Sequence, residues 1–396
     1  MNDTPKTMRP TSQKKNHMMP ERVPMPSRIL SRLQRWSQTT KRRVVEYCGI
    51  LALSWLLLGI QVFLELRKKG SLLLLLRGWD SAEYLKALDM WQRGMLDAAS
   101  YRHGLGMAVL GCMFRIGGNP FILWSFVFFG LISVLLWYSL RRRFSPLPAL
   151  VLLLLLHLTF PTAFVYTASL NNMTAYALLL WLIFMLFYGE ERRLHGGHWL
   201  VCGLLAGICF ACRYLEPVLY APFGLALLIR ESRKAGWKAA MRGALYTATT
   251  CLPWLAFTLY AHACYLGHWT RTPYDSKKPF TARVGDVSEG PRHHFSSAHY
   301  PGDTLRNAYQ TMVWAKPYAR EKDIAGHKTL LQAMPYLLFS LIGLFGWMMR
   351  NRQRWRLLIL PGLTALFNAL FYWSFWAHTA HDLKFGCLRY LAGWYY

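Results

Sequence analysis

Two carboxylates and a few cations are the side chains of this sequence best suited to chemistry. Asp80 and Glu83 head the stretch RGWDSAEYLKALDMWQRGMLDAASYRHG, residues 77–104, in a chain with only 19 acids among 396 residues. A carboxylate within reach of a hydroxyl can take its proton as the oxygen attacks. Arg213, Lys384 and Arg389 supply the complement, since guanidinium and ammonium groups hold the charge that develops on a departing phosphate. Asp80 is the candidate base. The competing reading is a helix cap, because Asp80-Ser81-Ala82-Glu83 fits a pattern in which Asp accepts from backbone N–H groups and Glu reaches back. Both roles hold together if Glu83 serves the helix.

Arg213 follows an apolar run, where a charge at the centre of a span costs ~2.5–3.5 kcal/mol. Such groups are functional candidates; the alternative is an i,i+3 ion pair with Glu216, a weak interaction at a helix end. Lys384 and Arg389 lie near His381 and Asp382, and snorkelling beside a span is an equally open role for them. His293, His294 and His299, near Asp286 and Glu289, have metal-ligand chemistry, but a solvated loop is the simpler reading. The residues demand no cofactor, and a divalent metal stays open.

The elements that position these groups are membrane helices. The composition is 54% hydrophobic and only 16% charged, and several apolar runs approach the roughly 20 residues needed to cross a bilayer. The fold class is therefore an all-α polytopic membrane protein. The net charge of +27 does not point to nucleic acid, because no basic run sits in a recognition module and Lys and Arg gather in the cytoplasmic loops of membrane proteins. The eight cysteines fall mostly in apolar segments, where a thiol packs as a small hydrophobe; the Cys209-x-x-Cys212 pair has no second pair to make a metal site.

Residues 1–43 read as a basic cytoplasmic tail, in which Arg28, Arg32 and Arg35 alternate with apolar residues as in a helix lying on an anionic leaflet; a solvated tail fits as well. Residues 44–396 read as the transmembrane domain, with about nine to ten crossings and outer loops at 65–120 and 265–328. Lys41-Arg42-Arg43 before the first span, about 44–64, sets the amino terminus inside. Tyr84, Leu88 and Trp91 recur at helical spacing and predict a helix along the outer surface. Further spans are expected near 121–140, 146–160 and 174–188. Residues 198–229 are either one long helix or a hairpin broken near Pro217; basic residues on both flanks favour the hairpin. Later spans are expected near 243–264, 330–349 and 357–376. This topology collects Asp80, Glu83, Arg213, Lys384 and Arg389 on the outer face.

Taken in order, these features resemble the membrane glycosyltransferases of the GT-C superfamily, particularly the group of protein O-mannosyltransferases and aminoarabinose transferases. The resemblance rests on Asp80…Tyr84 after the first span, Tyr101-Arg102-His103-Gly104, Gly117-Gly118-Asn119-Pro120, Phe160-Pro161…Tyr166, Gly203…Gly207…Arg213…Pro217, and Arg389-Tyr390 or Lys384-Phe385. It implies an inverting hexosyl or pentosyl transferase that uses a polyprenyl-phosphate-linked sugar, with a lipid, glycan or protein acceptor. Asp80 would be the catalytic carboxylate, Arg213 with Lys384 or Arg389 the donor-phosphate ligands, and Glu83, Tyr84, His103 and His381 supporting residues. The site would face the periplasm of a bacterial inner membrane or the lumen of the endoplasmic reticulum, in contact with membrane lipids. A transporter or lipid flippase, and a non-catalytic GT-C-like scaffold, are the rival readings. Neither an internal repeat nor a charge near mid-bilayer, both common in transporters, appears in the sequence.

Overall fold

The computed structural model describes residues 25–71, 79–96, 104–158, 170–213 and 216–270, with single helical positions between 305 and 366. The chain divides into two units, residues 1–49 and 50–396. In the first, the described residues are helical from Met25 onward and form the opening part of α1, Met25–Lys69. Arg28, Arg32 and Arg35 thus belong to a helix.

In the second unit α1 is followed by α2 (Trp79–Gln92), α3 (Gly106–Cys112), α4 (Ile122–Arg141), α5 (Pro146–Leu158), α6 (Leu170–Glu191), α7 (Gly196–Cys212), α8 (Glu216–Ala235) and α9 (Trp237–Leu266). No strand occurs among the described residues, only an isolated bridge between Ile116 and Asn119. Lys41–Leu64 and Ile122–Arg141 are long and apolar enough to cross a bilayer, and Pro146–His157, Met173–Gly189 and Gly196–Cys212 are shorter apolar helices. The spans expected near 330–349 and 357–376 lie outside the described residues, apart from single helical positions.

Apolar helices in lipid associate through close packing and a few polar contacts, since the lipid tails are as apolar as leucine. Trp55 Nε1 donates to the Phe126 carbonyl at 3.0 Å, joining α1 to α4. Ser133 Oγ and His157 Nε2, both buried, lie 2.9 Å apart between α4 and α5. Tyr138 packs edge-on to Phe184 at 5.0 Å between α4 and α6. The most extensive pairing is α7 with α9. Gly196 meets Tyr246, Gly203 meets Thr247 and Gly207 meets Trp254, so the two helices run parallel. A Cβ on Gly203 would enter the Thr247 carbonyl, and one on Gly207 would lie 2.9 Å from Trp254; the glycines set how near the backbones come. Thr250 Oγ1 then reaches the Leu200 carbonyl at 2.8 Å.

Because α7 and α9 are parallel, α8 returns between them. That is the hairpin, and the single long helix is ruled out. The break follows from residue type: Pro217 is the second residue of α8, a position whose N–H would have no helical partner anyway. The basic flanks accordingly meet at one end of the α6–α9 group. Arg230 donates to the carbonyls of Leu186 and Met185, and Lys234 Nζ to that of Gly189 at 2.9 Å, so cations of α8 bind carbonyls near the end of α6, with Gly189 among its last four. The start of α7 at this end is held by two histidines: the His195 N–H donates to His198 Nδ1 at 3.0 Å, and the reciprocal contact closes a capping box. The His198 ring packs against Trp181, Phe184 and Tyr188. His198→Ala should therefore destabilise the protein by about 1 kcal/mol, the usual weight of a cap, with His198→Asn recovering part of it. Thermal unfolding of the three proteins in one detergent measures this, and an unchanged midpoint in His198→Ala would rule the cap out as a stabilising feature.

Candidate active site

The stretch that carries Asp80 folds as α2 because one side of it has a core to join. Tyr84, Ala87 and Leu88 are buried and Trp91 is half-buried. Ala87, Leu88 and Trp91, with Leu96, Leu105 and Ala108, pack against Ala261 and Leu266 at the carboxy-terminal end of α9. Gly94, with φ +66°, stops the helix, and the Met95 N–H closes the end on the Met90 carbonyl at 2.8 Å.

Asp80 lies in the first turn of α2, four, seven and eleven residues before Tyr84, Ala87 and Trp91. By helical register alone, position 80 shares the spacing of Tyr84, Ala87 and Trp91, and position 83 lies about 60° round the helix from it at 100° per residue. The capping pattern needs Asp80 just before the helix in extended backbone. The described part of α2 opens at Trp79 and includes Asp80; residues 72–78 lie outside the described residues. Acids near a helix start complement the positive end of its dipole.

Arg213 is the residue that ends α7. Its φ of −149° and ψ of 82° leave the helical region, and its N–H donates to the Cys209 carbonyl at 2.6 Å. The side chain is half-buried. Arg213 thus sits at a helix end, where a cation faces the negative end of the dipole. Cys212 beside it is buried and hydrogen-bonded to Thr174 near the start of α6.

The link between the two regions comes from α3 and the turn before it. Leu105 is buried, and Gly104 and Gly106 lie directly on the backbone of Ala211, two residues before Arg213. A Cβ on Gly106 would stand 2.6 Å from the Ala211 carbonyl carbon and 2.7 Å from its Cβ; one on Gly104 would collide with the Ala211 carbonyl oxygen. The turn into α3 is therefore docked on the helix end at Arg213. Gly106→Val should separate them, and since a misplacement of about 1 Å can cost 10²-fold in rate, transfer should fall by roughly 10–100-fold. Gly197→Ala, where nothing lies within 4 Å of the added atom, is the control; equal activity in the two variants would show the contact to be irrelevant to the site.

Other expected members stand apart from this description. The side chains of Asp80 and Glu83, and residues His103, His381, Lys384 and Arg389, lie outside the described residues, as do His293, His294 and His299. Tyr84 is placed, and it is 6% exposed and part of the packing core. Among the described residues no three or more His, Cys, Asp or Glu side chains gather as metal ligands do. The Arg115–Asp89 ion pair, at 2.8 Å, was not expected; it ties the loop after α3 to α2.

Neither a curated protein nor a solved structure matches the chain. Residues 105–260, from the turn into α3 through most of α9, match the family model described as dolichyl-phosphate-mannose-protein mannosyltransferase, and that match supports the GT-C superfamily glycosyltransferase assignment.

Proposed function

We propose that this protein is a multi-pass membrane glycosyltransferase that moves a sugar from a polyprenyl-phosphate donor to an acceptor hydroxyl at the periplasmic or luminal face. Asp80 takes the hydroxyl proton as the oxygen attacks the anomeric carbon. The bond from that carbon to the phosphate oxygen breaks, and its electron pair leaves with the polyprenyl phosphate. Arg213 and Lys384 or Arg389 hold the charge that develops there. A single displacement of this kind inverts the anomeric centre. Glu83, Tyr84, His103 and His381 shape the surroundings.

The observation that supports the reading is the contact of Gly104 and Gly106, at the start of α3, with Ala211 beside Arg213; Gly106 and Arg213 both lie within residues 105–260, which match a sugar-transferase family model. The matched family's name makes a dolichyl-phosphate-linked mannose the first donor to try. The test uses the purified full chain in nanodiscs with a labelled polyprenyl-phosphate sugar. Label appearing on an acceptor supports transfer. Intact donor crossing a vesicle bilayer would instead favour a flippase, and binding without either outcome a scaffold.

A further inference from the structure

We propose that the outward face of α2, together with the turn at 113–116, is a seat for an anionic membrane phospholipid, taking its headgroup and the upper part of an acyl chain. The proposal depends on the chain being a membrane protein and not on sugar transfer.

The face of α2 opposite the buried stripe carries Lys86, Asp89 and Arg93. An open groove runs along it, lined by Leu85, Lys86, Asp89, Met90, Arg93 and Met95. Arg115 reaches the groove from the following loop and binds Asp89 at 2.8 Å and Gln92 at 2.5 Å. Asp89, the acid among the described residues that line the groove, is thus already matched, and Lys86 and Arg93, both exposed, give that lining a cationic character. Beside these charges Met95, Met113, Phe114 and Ile116 are exposed, Met113 by 79%.

These apolar side chains are held by a stiff turn. Ile116 and Asn119 exchange backbone hydrogen bonds of 3.0 and 2.9 Å, and the buried Asn119 accepts from the Phe121 N–H at 2.9 Å. Phe114 stands edge-on to Trp124, whose Nε1–H donates to the Leu110 carbonyl. A lone exposed apolar side chain is ordinary. Several of them beside two cations, on a module packed on the carboxy-terminal ends of α7 and α9 where both helices stop, form the pattern of a surface at the headgroup boundary. There apolar groups enter the acyl region while Lys and Arg meet phosphate. Methionine, unbranched and polarisable, suits a mobile acyl chain. Charge complementarity selects an anionic lipid over a zwitterionic one.

The test places a fluorescent amino acid at position 113 of the full chain in nanodiscs. Lipids brominated near the top of the acyl chain should quench it and aqueous iodide should not. Replacing a third of the phosphatidylcholine with phosphatidylglycerol should raise the lipid quenching about twofold. Lys86→Gln with Arg93→Gln should remove that increase and keep the basal quenching, because both side chains are exposed and the fold does not need them. Quenching by iodide alone would overturn the proposal. So would a phosphatidylglycerol response unchanged in the double variant, or crosslinking between copies through position 113 without lipid quenching.

Discussion

Asp80→Asn enzyme should lose about 10²–10⁴-fold in transfer rate, the usual contribution of a positioned base, while its membrane yield and unfolding midpoint stay those of the parent. Asparagine keeps the shape of the side chain and cannot accept the acceptor's proton. The helix would barely register the change, since an acid near a helix start contributes only about 0.3–1 kcal/mol through the dipole. The resemblance to the GT-C enzymes is what favours Asp80 over Glu83 as the reactive acid. Glu83→Gln should accordingly stay within a few-fold of the parent. Single-turnover kinetics with saturating donor separates chemistry from binding. Unchanged turnover in Asp80→Asn would remove this carboxylate from the mechanism, and equal losses in both variants would mean that α2 as a whole, and not one base, is what matters.

What the sequence shows of this molecule depends on the range of the interaction involved. Spans such as Lys41–Leu64 and Ile122–Arg141 are legible because a long apolar run needs nothing but its own residues to declare itself. The α7–α8 hairpin is legible too, since Pro217 and the basic clusters on both flanks carry the constraint locally. So is α2, through the spacing of Tyr84, Leu88 and Trp91. Long-range contacts leave no such trace. Nothing in the sequence places Gly106 on Ala211, Arg115 on Asp89, or Gly203 on Thr247. The family match stops short as well: it spans 105–260, so it includes Arg213 but begins after Asp80 and ends before Lys384 and Arg389. The base and the late cations therefore rest on residue chemistry and resemblance, and Arg213 is the member of the proposed site with most behind it.

That makes Arg213 the place where substitution is most informative. Arg213→Ala should lower kcat/KM by about 10²–10³-fold, in line with removal of one group that stabilises developing charge. Most of the loss should fall on kcat, because the phosphate gains charge as the sugar departs and an interaction that strengthens in the transition state shows there. Arg213→Lys should recover only part, since an ammonium supplies the charge without the planar, bidentate fork. The helix end should survive all of this. What closes α7 is the backbone N–H of residue 213 on the Cys209 carbonyl, and no side chain is needed for it. The competing explanation, an ion pair with Glu216 that merely steadies the turn into α8, makes a different forecast: Glu216→Gln would then cost as much activity as Arg213→Ala. With Arg213 on the donor phosphate, Glu216→Gln should stay within a few-fold of the parent, and the apparent affinity for a non-transferable polyprenyl phosphate should fall in Arg213→Ala alone.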